Sequence, residues 1–307
     1  MGSNETPCTR RRRVLQIPIW TGEHGLKKLI VTADDFGLSS PVNKAVKEAH
    51  EKGILTSTSL MVSAPAATEA VEIAKALPDL KVGLHIVLSN GKSTLPASDI
   101  SALVNSDGEF SSSQVSSGIK MFFNAEAKFQ LEKEIRAQFE AFKATGLTLD
   151  HVNAHNHMHL HPTVFSLILT IGSEYGLTAM RIPNEPPLDS VIDSKKDKLK
   201  RYAQWLSFKP FISSMKKQCA IRNINCNDTI YGLYDSGHMN IDTLIRILPH
   251  IEEGITEIYL HPATERWDDI DPAANDYEFE AEFKALTHAR IKRAIEKFDI
   301  QLSGFNS

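Results

Sequence analysis

The sequence predicts an α/β protein folded as a single distorted (β/α) barrel, and three observations carry that prediction. Short apolar runs alternate with helix-period segments from Leu26 to the end of the chain, with no break in composition. The residues with chemistry to offer, Asp34, Asp35, His85, His155, Arg181 and His261, each lie on or just after a predicted strand. In a parallel barrel those strand ends open onto one face. No G-x-G-x-x-G or P-loop pattern follows any strand, which weighs against the alternative fold, a nucleotide-binding doubly wound sheet.

The elements follow in order. Leu29, Ile30 and Val31 form a run suited to a strand buried on both faces, and it ends at Asp34 and Asp35. Adjacent carboxylates repel, so a buried pair calls for a divalent cation or a shared proton; the ordinary alternative is one Asp capping a turn while the other is solvated. Ser40-Pro41 opens a helix whose apolar face is Val42, Ala45, Val46 and Ala49, and Gly53 closes it. A strand follows at Ile54–Val62, a helix at Ala66–Leu77 stopped by Pro78, and a strand at Val82–Leu88 carrying His85.

The Ser- and Gly-rich stretch Asn90–Asn124 reads as a long loop. A helix at Leu131–Thr145, a strand at Leu147–Val152, a helix at Pro162–Tyr175 and an extended Ala179–Ile182 come next. The alternation then repeats with Thr229–Tyr231, a helix at Asp242–Leu248, a strand at Glu257–Leu260, one long helix at Glu278–Lys297 and a last strand near Gln301.

Composition limits the function. The 307 residues, 42% hydrophobic and 23% charged, hold no apolar run long enough to span a membrane. A net charge of -4 and a pI near 6.3 argue against nucleic acid as a partner. Cys8, Cys219 and Cys226 fit neither a disulfide framework nor a C-x-x-C metal site, which suggests the cytoplasm. Residues 1–26, with the block Arg10–Arg13 and no apolar segment of signal-peptide length, read as a flexible basic tail, and 27–307 as one catalytic domain.

The densest motif is AHNHMHLHP, which places His155, His157, His159 and His161 at every second position. Extended, all four would project to one side; helical, His155 would pair with His159 and His157 with His161. Both arrangements suit a metal, and the plainer alternative is a histidine-rich loop that binds metal adventitiously. Not every histidine can ligate one ion together with His85 and an Asp, so His157 and His159 are expected to orient ligands or touch substrate. One Asp and two His leave coordination positions open for water and substrate, as a catalytic site requires. Asp34, Asp35 and His261 could supply a base and an acid beside it, which points to metal-assisted hydrolysis of an acyl bond. Two further readings are a metal-dependent sugar isomerase or aldolase and a non-catalytic metal-binding protein.

Between Ser194 and Arg222, nine Lys or Arg face the single acid Asp197, interleaved with Tyr202, Trp205, Leu206, Phe208, Phe211, Ile212 and Met215. This basic, aromatic-containing insertion, at 190–238, suits an interfacial element or a lid over a lipid-linked sugar. An ordinary amphipathic helix with solvated lysines is the alternative. Tyr231, Tyr234 and His238 would line the same lid.

ADDFG after a strand, GLHIVL around His85, LDHVNAHNHMHLHP and YLHPA occur in this order between residues 28 and 265. Together they resemble the YdjC-like carbohydrate deacetylases, metal-dependent enzymes on a distorted β/α barrel related to the NodB polysaccharide deacetylases. The phrases LIVTADDFGLS, GLHIVLSNGK and YGLYDSGH are most similar to the hopanoid-biosynthesis branch, HpnK, which is taken to deacetylate N-acetylglucosamine linked to a bacteriohopane polyol. The resemblance implies that Asp35, His85 and His155 bind one divalent ion, Zn²⁺ or Mg²⁺, with Asp34 as general base and His261 as acid. Asn156 stands where many relatives carry a consecutive histidine, so a one-step shift of the ligand to His157 stays open. Arg181 would contact substrate or orient a carboxylate. The expected partners are an N-acetylated, lipid-linked amino sugar, the inner membrane surface as a peripheral contact, and a second copy of the chain as a homodimer.

Overall fold

The protein was described from a computed structural model, which covers residues 25–113, 124–188 and 195–307. The expected N-terminal tail up to residue 24, part of the 90–124 loop and residues 189–194 of the insertion lie outside the described residues.

Strand β1 (Lys27–Phe36) organises the sheet. It pairs in parallel with β6 (Gly254–Leu260) from Lys27 to Ala33. Its other edge is shared, by β7 (Ile300–Leu302) at Lys27–Leu29 and by β2 (Ser57–Leu60) from Thr32 to Phe36. With β3 (Lys81–Ile86), β4 (Val152–Ala154) and β5 (Thr229–Tyr231), the order is β4-β3-β2-β1-β6-β5, all parallel. Residues 178–184 join the two outer strands: Arg181 N donates to Val152 O at 3.1 Å, Met180 N to Asn225 O at 2.9 Å and Ile230 N to Asn184 O at 3.0 Å. The ring is thus completed by isolated bridges where a regular barrel has ladders, which is the distortion.

Helices α1 (Ser40–Lys52), α2 (Ala67–Ala76), α3 (Ala125–Ala144), α4 (Pro162–Glu174), α5 (Lys195–Ile221), α6 (Ile241–Ile247), α7 (Phe279–Thr287) and α8 (Ala289–Lys297) accompany the strands. Among the described residues no helix is long and apolar enough to cross a membrane. Leu29, Val31 and Ala33 point outward into the main apolar core with Val46 and Leu286. Burying a side chain such as Leu29 contributes about 2 kcal/mol.

Three expectations shift. The strand expected at Leu147–Val152 lies later, at Val152–Ala154, although Asp150 N already donates to Val82 O at 3.0 Å. The long helix expected at Glu278–Lys297 is two helices, because His288 is extended (φ -77°, ψ 130°) and its side chain caps α8 by accepting from Arg290 N. A break of this kind is made by one residue's backbone, which a reading of apolar period over the whole stretch does not detect. Finally, β1 runs through both aspartates to Phe36, with a register slip against β2 between Ala33 and Phe36.

The inner face of the sheet is polar. Where parallel barrels usually fill with branched aliphatics, Thr32, Asp34, Ser59, His85, Asn153, Arg181 and Glu257 here form one hydrogen-bonded set. Among the described residues Ile30, Ala179 and Phe305, with Ile255 packed against them, make a small separate apolar cluster. Phe305 stacks on His151 at 4.5 Å, and Gly83 is required beside that ring, since a Cβ there would sit 2.5 Å from it.

Candidate active site

Asp35 ends the regular part of β1 in the left-handed region (φ 63°), a conformation Asp tolerates better than most residues. The bulge places its Oδ1 3.2 Å from His85 Nε2 and 3.0 Å from His155 Nδ1, and the two histidine nitrogens are 3.3 Å apart. A nitrogen- or oxygen-bound divalent ion at roughly 2.0–2.1 Å holds neighbouring donors about 3.0–3.4 Å apart, so these three atoms have the separations of one coordination face. Formal charges agree with this. Among the described residues Arg181 is the one Lys or Arg set against the buried Asp34, Asp35 and Glu257, which with neutral histidines leaves two negative charges for a divalent cation to neutralise. The residues therefore fit such an ion.

The tautomer of His85 is set from behind. Its Nδ1 lies 2.6 Å from Asn153 Oδ1, whose amide in turn donates from Nδ2 to Asp34 Oδ1 and to Ser59 Oγ, both at 3.2 Å. An Nδ1–H donated to Asn153 leaves the Nε2 lone pair facing Asp35.

Asp34 is held by Arg181, Nη1 to Oδ2 at 2.6 Å and Nη2 to Oδ1 at 2.9 Å, with Ser59 Oγ adding a bond at 2.8 Å. Arg181 is fully buried, its Nε and Nη2 are taken by Glu257, and its guanidinium lies over the Tyr259 ring at 4.5 Å. Burial opposes the charge of Asp34, but Arg181, together with His85 and His261, outweighs it and holds the carboxyl below its ordinary range. Burial likewise opposes the charge of Asp35, and His155 with His85 keeps that carboxyl well below normal. The reverse holds for His155: burial would lower its pKa, and Asp35 raises it.

The histidine-rich segment is neither extended nor regularly helical. Asn156 and His157 both take left-handed backbone (φ 53° and 52°), and Asn156 Nδ2 anchors the turn on Ser89 Oγ at 3.1 Å. This turn separates the histidines by task. His155 joins Asp35 and His85. His157 turns away, with Nε2 2.8 Å from Tyr259 Oη. His159 is fully buried, which removes it from any substrate surface, and burial pushes its pKa down to about 3.

His261, just past β6, is packed between the rings of Tyr259 and Tyr277 at 5.6 and 5.2 Å, and its backbone N donates to Glu282 Oε2 at 2.5 Å. Burial lowers its pKa, partly offset by Asp35 and Asp34, which places it in electrostatic reach of both carboxylates.

Of the two roles expected of Arg181, it takes the position that orients a carboxylate, Asp34, and at 0% exposure does not meet substrate as placed. Two expected contacts take other positions. Tyr231 is buried in the core, and burial pushes its phenol up to about 12. His238 is half-exposed beyond the cluster, 3.8 Å from Asp276 Oδ2 and 3.9 Å from Glu278 Oε2. Conversely, Ser59, Asn153, Glu257 and Tyr259 went unread in the sequence. Strand parity could have found them: Asn153 lies two residues before His155, and Glu257 and Tyr259 share their face with His261.

Comparison with known proteins agrees with this architecture. A solved protein from Enterococcus faecalis V583, assigned to cellobiose-phosphate cleavage, shares the fold with a TM-score of 0.66 at 24% identity, over 92% of this chain and 98% of its own. A carbohydrate deacetylase of Brevibacillus brevis is 30% identical over 282 residues, covering 91% of this chain and 98% of that relative. A carbohydrate deacetylase of Thermoanaerobacter pseudethanolicus is 30% identical over 281 residues, covering 92% and 99%. The family model described as YdjC-like protein matches residues 28–297, and the chain therefore belongs to the YdjC-like family.

Proposed function

We propose that this protein is a metal-dependent carbohydrate deacetylase that hydrolyses the N-acetyl group of an N-acetylglucosamine-type sugar. The observation that carries the reading is the convergence of Asp35 Oδ1, His85 Nε2 and His155 Nδ1 within 3.3 Å of one another, next to the Arg181-locked Asp34. Relatives named carbohydrate deacetylases support the substrate class.

Asp35, His85 and His155 would hold the ion. Bound there, a divalent cation lowers the pKa of water to roughly 7 and polarises a carbonyl. Asp34, kept ionised and aimed by Arg181, takes the proton of the attacking water. His261, beside both carboxylates, would in its protonated form give its proton to the departing amine and be reprotonated from Asp34, which holds the proton taken from water. Asn153 and Ser59 fix His85 and Asp34 relative to each other, so that ligand and base move as one unit. Residues 27–307 would make up the one catalytic domain that does this work.

The finer reading is a lipid-linked amino sugar of the hopanoid-glycoside type. The resemblance of the motifs and the basic, apolar helix α5 support it over a soluble chitooligosaccharide.

The test is release of free acetate from an N-acetylglucosamine conjugate, with and without chelator. Chelator-sensitive acetate is expected, and an isomerised or cleaved sugar with no acetate would overturn the assignment.

A further inference from the structure

Helix α5 is apolar on two opposite faces. Ile212, Met215 and Cys219 are buried against the body of the protein. Half a turn of the wheel away, Leu199, Ala203, Leu206 and Pro210 follow at spacings of four, three and four and are all exposed, Leu199 at 74% and Leu206 at 57%. A helix whose outer face met only water would be polar there. Four exposed lysines, Lys196, Lys200, Lys209 and Lys217, accompany this stripe, and Asp197 is the single acid in the helix. The last turns of the helix lie beside the start of β5, where Lys216 Nζ donates to Asp228 O at 2.8 Å, and its first turns, Leu199 included, lie towards the end of that strand, at the level of the mouth. Arg201 ties it there by a bidentate pair with Asp235 at 2.6 and 2.7 Å, on the loop that follows β5.

We infer that the outer face of α5 is a docking surface for an anionic lipid bilayer, with Leu199 and Leu206 entering the headgroup boundary and the lysines meeting lipid phosphates. Charge decides between a bilayer and a second copy of this chain. Two-fold self-pairing of the face would set its lysines against the same lysines with one acid per helix to offset them, whereas an anionic headgroup layer satisfies all of them at once. The inference deepens the proposed lipid-linked substrate class, and rests on that reading only for the purpose of docking, not for docking itself.

The experiment is co-sedimentation of the full chain with vesicles of phosphatidylcholine alone or mixed with phosphatidylglycerol. Sedimentation that requires phosphatidylglycerol and weakens with salt is expected, since each lysine near an anionic surface changes partitioning about fivefold. The surface variants Leu199→Ser/Leu206→Ser and Lys200→Gln/Lys209→Gln should each lower partitioning by about tenfold or more, while acetate release from a soluble conjugate stays at the wild-type level. Equal pelleting with both vesicle types, or variants that pellet like wild type, would overturn the inference. So would a dimer on a sizing column that these variants dissociate. Absence of acetate from every substrate, with lipid-dependent pelleting intact, would defeat the deacetylase reading and leave this one standing.

Discussion

Arg181 and Asp34 form a closed bidentate pair inside the barrel, and Glu257 holds the far side of the same guanidinium. The base proposed for water activation is therefore aimed by a group that never sees solvent. Asp34→Asn should retain metal, because Asp34 is outside the ligand set, and lose turnover by about 10²–10⁴-fold. Parallel metal analysis and acetate kinetics check this, and normal turnover in Asp34→Asn would displace it as base. Arg181→Met would strand two buried carboxylates and should destabilise the fold by about 3–5 kcal/mol, measurable by denaturant titration.

Asn153 fixes the tautomer that presents His85 Nε2. Asn153→Ala should weaken metal affinity about 10–100-fold with the three donors themselves unchanged, as read by competition with a chromogenic chelator. Unaltered affinity would mean that His85 finds its tautomer without help.

The left-handed turn at Asn156 and His157 divides neighbouring histidines between Asp35 and Tyr259. Adding metal at a hundredfold excess over Kd should stabilise wild type by about 2.7 kcal/mol, and a chelator should reverse it. His155→Ala should lose this response in a thermal melt and His157→Phe should keep it. The opposite pattern would shift the ligand by one step.

Glu185 is buried and accepts from Leu233 N at 2.6 Å and Tyr234 N at 3.3 Å. Burial, with Asp235 adding to it, pushes its carboxyl from 4.5 up to about 8, against the pull of those amides and Arg201. A raised carboxyl binds its proton more tightly folded than unfolded. Its stabilising contribution is complete below about pH 4.5 and is lost as pH rises through about 8. Glu185→Gln keeps an acceptor and removes the titration, so its stability should fall less than wild type as pH rises from about 4.5 to about 8. Parallel slopes in denaturation curves would contradict this.

Much of this molecule was readable from the chain. The strand–helix alternation gave the barrel, and short runs such as Leu29–Val31 and Thr229–Tyr231 stand where strands occur. Asp34, Asp35, His85, His155 and His261 do come together, because parallel strands gather their ends whatever the distance in sequence. What escaped were features made by one residue's backbone or by a partner far away. His288 breaks a helix by capping it, and Asn156 and His157 turn a run that periodicity would keep straight. Arg181 was expected to contact substrate or orient a carboxylate, and the sequence could not choose between the two because Glu257 and Asp34, which claim its whole fork, are far away in the chain. Ser59 and Asn153 are ordinary polar strand residues until a histidine faces them.

The ionic interior of this barrel also decides where variation can enter. In a scaffold filled with aliphatics, inner positions can be exchanged for others of similar volume, each at modest cost. Here Thr32 bonds Glu257, Ser59 bonds Asn153, and Arg181 with Asp34 joins the two pairs, so a change at one of them propagates to Asp34 and His85. Lineages or engineers seeking a new acceptor would have to rebuild the rim loops and leave the strands untouched.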